Sequence, residues 1–296
     1  MSSTALETVK TEVENESSNF SLWLHQIRAI LKLEVKKNLF SLRSILIYLL
    51  ALLPVIICAM IAIVVFLTST AGGDPRWREE FSQVMATTFT FIYNALILRT
   101  VVFFGCAWIF MNLFRGEIVD RSLHYYFLCP VRREVLVAGK YLSGMIAAII
   151  IFSLTTIVSL FFLYLAGYPS SLNYLIHGVG LRHAGIYVGI TILACVGYGA
   201  FFLLVGLLFR NPILPALILY GWEWINFLLP PLLKKVSVVH YLHSLNPVPM
   251  DEGPFAVLAE PTPAWISIPS LLLMSVIVIA LGCWKIRRAE ISYSGE

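Results

Sequence analysis

Residues 44–69 read SILIYLLALLPVIICAMIAIVVFLTS, a run with no charged side chain. A helix needs about 20 mainly apolar residues to cross the hydrocarbon core of a bilayer. This one run therefore makes a membrane protein of the chain. Five further segments read the same way. The second lies in 85–114 and is interrupted by Arg99. The third is 141–166, the fourth 184–209, and the sixth 265–284. The fifth, 213–229, is short and stops at Pro230-Pro231, where proline removes a helix donor and restrains the residue before it.

The composition agrees. Of 296 residues, 59% are apolar and 13% are charged, against about 45–50% and about 25% in soluble domains. Mean hydropathy is +0.83. Two soluble domains of this length would lack the charge to cover their surfaces. Disorder, collagen, a coiled coil and a disulfide scaffold are excluded on the same grounds. Four of the five cysteines (Cys58, Cys106, Cys195 and Cys283) fall in apolar runs, and Cys129 falls in a basic loop. Neither a disulfide framework nor zinc spacing is present.

Lysine and arginine set the orientation. With the N-terminus inside, 15 of the 21 basic residues lie on the cytoplasmic side, five on the other, and Arg99 within a span. Both termini are expected in the cytoplasm and the protein in the cell's inner (plasma) membrane. Residues 1–18 carry Glu7, Glu12, Glu14 and Glu16 with no apolar core, so they read as a disordered cytoplasmic tail and not as a signal peptide. Residues 19–43 place Phe20, Trp23, Leu24, Ile27, Leu31 and Val35 at helical spacing. Arg28, Lys32, Lys36 and Lys37 fall mostly elsewhere on the wheel. This is an amphipathic helix, lying either on an anionic leaflet or against a partner. Residues 44–286 form the six-span domain, and 287–296 a cytoplasmic tail.

No catalytic, cofactor or metal set stands out. The phosphate-binding pattern G-x-x-x-x-G-K-[ST] is absent: Gly139-Lys140 is followed by Tyr141. The chain is therefore not expected to be an enzyme or to hydrolyse ATP by itself. His240 and His243 are two ligands too few for a metal site on their own.

The loop after the second span reads FRGEIVDRSLHYYFLCPVRREVLVAGKYLSG from Phe114. An amphipathic helix over about 117–128 carries Ile118, Leu123, Tyr126 and Phe127 as apolar members, and Pro130 ends it. Arg132, Arg133 and Lys140 then mark the inner end of span three. This order of acid, helix, proline and basic residues resembles the cytoplasmic elbow of the type two permease family of ABC transporters, the exporter-like class. The matching positions are Glu117, Ser122-Leu123, Leu128, Pro130, Arg132-Arg133 and Gly139-Lys140. Arg121 stands where the family commonly has glycine, and Ser122 where it has threonine. The resemblance covers about 25 residues as motif and most of the chain as layout.

The resemblance implies an all-α integral membrane fold. Its parts are six transmembrane helices, an N-terminal amphipathic interfacial helix, a cytoplasmic coupling helix at 117–128, and a broken external segment between spans five and six. It implies that Glu117, Arg121, Ser122, Leu123, Tyr126, Pro130, Arg132 and Arg133 couple the chain to a separate ABC ATPase subunit that holds ATP-Mg. A second permease copy or a paralogue would complete the pathway. Nucleic acid is not an expected partner. The exported substrate would be amphiphilic or polymeric.

Two charges fall inside spans. Arg99 lies about 24 Å above the inner boundary by helix rise, and either snorkels outward or faces the pathway. Glu223 lies near mid-membrane, and either lines a polar path or pairs; the family's spans two and five would bring it towards Arg99. Gly185-x-x-x-Gly189 in span four suggests close helix approach. The connection 230–263 holds seven of the 14 prolines and suggests a short helix returning into the outer leaflet, covered by protein. Two rivals differ in what they require. An ion-coupled secondary transporter needs paired broken helices and several membrane acids. A non-transporting anchor or assembly factor needs no Glu223.

Overall fold

The computed structural model describes residues 23, 25–42, 44–69, 76–119, 133–166, 175–176, 178–209, 211–248 and 262–287. Among them every regular element is helical and no strand occurs. Helix α1 covers residues 25–40. It is followed by α2 (Ser44–Ser69), α3 (Arg76–Ile92), a π-helical run (Tyr93–Val102) and α4 (Phe103–Val119). After these come α5 (Arg133–Leu165), α6 (Gly180–Leu208), α7 (Ile213–Ile225), a 3-10 turn (Asn226–Leu228), α8 (Pro231–Lys234), α9 (Val238–His243) and α10 (Ala264–Arg287).

Five stretches are long and apolar enough to cross a membrane: Ser44–Leu67, Val84–Phe114, Glu134–Leu165, Gly180–Leu208 and Ala264–Arg287. The chain is an all-α, multi-pass membrane protein. The segment expected as a fifth span is the shorter apolar run Ile213–Leu228. At 1.5 Å per residue it reaches about 24 Å, short of the ~30 Å hydrocarbon core. It ends because Leu229, ahead of the proline pair, takes an extended conformation.

Helix α6 is the hub. It packs against α4, α5, α10, α9 and α7, which is why its sequence is apolar all round. Two glycines seat α4 on it. A methyl group at Gly199 would stand 2.5 Å from the Phe110 ring, and one at Gly206 would stand 3.0 Å from the Met111 backbone. The expected close approach at Gly185 and Gly189 is not found among the described residues: none of them lies within 4 Å of a side chain placed at either glycine. The neighbouring helix meets α6 through Tyr187 and Thr191 instead. Those residues lie about 200° of helical turn away from the two glycines.

The second crossing is one continuous helix from Arg76 to Val119 whose middle ten residues are π-helical. Within it Thr100 Oγ1 donates to the Ala95 carbonyl five residues back, at 3.2 Å. Runs of this kind are uncommon and occur mostly as single turns. This one carries Arg99.

The tail 1–18, the elbow between 119 and 133, residues 249–261 and the C-terminal residues after 287 lie outside the described residues.

Candidate functional site

Polar constructions interrupt the apolar bundle at several levels, and two of them engage charged side chains. The first lies where α1, α4 and α5 meet. Lys140 is fully buried. Its ammonium donates to Glu34 Oε1 of α1 at 2.9 Å and to the Leu113 carbonyl of α4 at 3.1 Å. It also sits 5.4 Å from the centre of the Phe114 ring. Glu34 is likewise buried. A charge taken out of water at this depth is tolerated only with a partner and further hydrogen bonds, and both are present.

The residue before it completes the joint. A side chain at Gly139 would meet Ile30 of α1 at 3.1 Å, so glycine lets α1 lie close enough for Glu34 to reach Lys140. The Gly139-Lys140 pair thus binds one chain segment to another. Lys140, read from sequence as a mark of the membrane boundary, is not a surface charge. Sequence reasoning missed Glu34, although a signal existed. Ile27, Leu31, Glu34 and Asn38 share one stripe of the α1 wheel, and an acid in an apolar stripe needs a partner. Helix α1 is docked on its own chain along that stripe. Arg28, Lys32, Lys36 and Lys37 remain exposed, together with the apolar Leu33 and Phe40.

The joint brackets the elbow. Glu117 lies in the last turns of α4, and Arg133 opens α5. Arg121, Ser122, Leu123, Tyr126, Pro130 and Arg132 lie outside the described residues. Next to Arg133, Glu134 accepts from Arg287 of α10. The start of α5 is therefore tied to both α1 and α10.

The second construction holds the segment after α7. Glu223, 2% exposed, accepts from Ser237 Oγ at 2.5 Å and from the backbone N–H groups of Val238 and Val239, each at 3.1 Å. Those are the first amides of α9, so the carboxylate caps that helix from another element. The favourable helix dipole adds to the cap. Asn226 Nδ2 donates to Ser237 Oγ at 2.7 Å and closes the knot. Val238, Val239 and Leu242 are buried, and Val238 lies against Gly197 in the middle of α6. The chain after Pro230-Pro231 thus dips back into the bundle. The non-helical backbone at Ser237 is satisfied by protein, as membrane depth demands. Lys234 is buried within the same segment. The Tyr241 hydroxyl donates to the Lys235 carbonyl at 2.8 Å.

Arg99 and Glu223 are neighbours but form no salt bridge with each other. The Arg99 guanidinium stacks 5.6 Å from the Trp224 ring, a cation–π contact, and its Nε is buried without a hydrogen-bond partner among the described residues. The Tyr198 hydroxyl is orphaned in the same way. Farther along, the second crossing is pinned to α6 by hydroxyls that the sequence did not single out. Thr90 bonds Tyr187 at 2.6 Å, and Tyr93 bonds the Tyr187 carbonyl and Thr191, each at 2.9 Å. Asn246 then donates to Asn94 at 2.9 Å, fastening the returning segment to the π-helical run.

Compared with known proteins, the chain matches no family model and no curated relative.

Proposed function

We propose that the chain is the membrane permease subunit of an ATP-driven ABC exporter, coupled through its 117–128 elbow to a separate ATPase subunit that binds ATP-Mg. The observation that carries this reading is the Lys140 joint. One side chain links α1, the end of α4 and the start of α5. A force applied to the elbow between α4 and α5 would move three helices as one body, which is what rigid-body coupling requires. The elbow's acid, helix, proline and basic order supports the same reading.

In this reading Ile213–Leu228 and the returning α8–α9 segment make up the fifth crossing and its external lid. That gives six spans with both termini cytoplasmic in the inner (plasma) membrane. A second permease copy or a paralogue faces the first, and the cargo is an amphiphile or polymer. The use of Glu223 as a helix cap counts against an ion-coupled carrier, because both its oxygens are already committed. The test is co-purification of an ATPase with the tagged full-length chain from its native membrane. Recovery of the chain free of any ATPase, under conditions that preserve membrane complexes, would overturn the proposal.

A further inference from the structure

Beside the Lys140 joint, where α1 turns into α2, a cavity of about 280 Å³ opens between these helices and α4. Its polar wall is Lys37, Asn38, Ser41, Ser44 and Asn112. Glu34 also lines it, but its charge is matched by buried Lys140. The remaining charge on the described wall is the exposed ammonium of Lys37. Asn38 Nδ2 is shielded from solvent with no hydrogen-bond partner among the described residues. Ser41 Oγ donates to Ser44 Oγ at 2.9 Å, and Ser44 Oγ donates in turn to the Asn38 carbonyl at 2.5 Å. The uncommitted donors on this wall are the Lys37 ammonium and the Asn38 amide, and the wall carries net positive charge, as an anionic oxyacid requires.

The cavity does not end there. Ile47 and Trp108 line it and also line a second hollow of about 430 Å³. That second hollow is almost wholly apolar, walled by Leu50 and Leu53 of α2, Phe104 and Met111 of α4, and Leu217 of α7. Both long helices give the two hollows the same order. From Ser44 to Leu53 is about 14 Å, and from Asn112 to Phe104 about 12 Å, by helix rise. That is close to one leaflet's half of the ~30 Å hydrocarbon core. A cationic polar pocket at the end of a membrane helix, opening into an apolar groove one leaflet deep, has the shape and polarity of a single amphiphile.

We propose that this composite cavity is a binding site for an anionic phospholipid. The headgroup phosphate lies against Lys37 and Asn38, and an acyl chain lies in the groove between α2, α4 and α7. The occupant comes from the bilayer and owes nothing to transport, so the site stands or falls apart from the exporter reading. Lys37 supplies the headgroup selectivity, and the α2–α4–α7 groove supplies the requirement for a tail.

Native mass spectrometry of the full-length chain in mild detergent tests this. The protein is titrated with dioleoyl phosphatidylglycerol, dioleoyl phosphatidylcholine and inorganic phosphate. Phosphatidylglycerol should bind at least about fivefold tighter than phosphatidylcholine, the worth of one lysine near a lipid surface. Lys37→Gln should abolish that preference. Lys32→Gln, an exposed cation of the same helix outside the cavity, should keep it. Leu53→Trp, which fills the groove from a lipid-exposed position, should weaken both lipids and leave their ratio unchanged. Equal binding of the two lipids overturns the site, as does an equal effect of the two lysine variants. Competition by inorganic phosphate at the same concentration as phosphatidylglycerol also overturns it, because the tail would then contribute nothing.

Discussion

At the residue scale, the fold depends on two acids whose partners are fixed. Removing Lys140 while keeping Glu34 leaves a carboxylate stranded at 2% exposure. Breaking one side of a buried pair costs about 3–5 kcal/mol, whereas replacing both sides with apolar groups of similar size is often neutral. Lys140→Met should therefore sharply lower the thermal midpoint of the detergent-purified chain, and Lys140→Met with Glu34→Leu should recover most of the loss. If the double variant is as unstable as the single one, the pair is not what joins α1 to α5. Glu223 allows a parallel test. Glu223→Ala strands two amides and a hydroxyl, each worth about 1–3 kcal/mol when buried without a partner. Glu223→Gln keeps one acceptor and should cost less. Hydrogen–deuterium exchange should rise in 231–248 for the alanine variant and little elsewhere; unchanged exchange there would refute the cap.

At the element scale, much was legible in the sequence and the failures have physical reasons. The charge-free run 44–69 reads as a span and is one helix, because nothing in it competes with the bilayer. The third crossing begins at Arg133, eight residues before its apolar run, because Arg133, Glu134 and Lys140 are invisible to hydropathy and two of them are paired. The role of Glu223 was out of reach. Its partners lie 14 to 16 residues on, and only the chain reversal after Pro230-Pro231 brings them back. The π-helical run leaves no periodicity to detect in the sequence. Among the described residues the glycines of α6 that seat α4 are Gly199 and Gly206, not Gly185 and Gly189. Gly206→Leu must push the Met111 backbone aside, an overpacking cost of about 1–3 kcal/mol. Gly185→Leu enters open space and should shift stability by under about 0.5 kcal/mol. Paired melting curves in detergent decide between them, and equal losses would contradict the observed packing. The elbow makes a sharper demand. On the exporter reading 117–128 is a coupling helix, a proline within which costs about 3 kcal/mol locally, so Ser122→Pro should leave membrane insertion at normal levels and remove ATPase co-purification. Ser237→Pro, in the buried returning segment, should spare that binding and impair transport. Full ATPase binding and transport by Ser122→Pro would reduce the elbow to a loop.

At the scale of the whole molecule, burial is unevenly shared. In their most apolar windows, Ser44–Leu67 is 22% buried and Ala264–Arg287 28%, against 61% for both Val84–Phe114 and Gly180–Leu208. Helix α6 and the second crossing are already the core of one chain, and the remaining helices wrap them. A single copy therefore spends its central helices on packing and has none left to surround a wide aqueous path. On the exporter reading such a path lies between chains, and a separate ATPase supplies the energy to open it, since the phosphate-binding pattern is absent from this sequence. Purified chain free of partners should hydrolyse no ATP above a buffer control. The transporting complex, weighed by light scattering, should contain two permease copies, or one with a paralogue, beside its ATPase. Robust turnover by the lone chain, or transport by a complex holding one permease, would mean that this bundle encloses and powers a path unaided. Its packing around α6 argues against that.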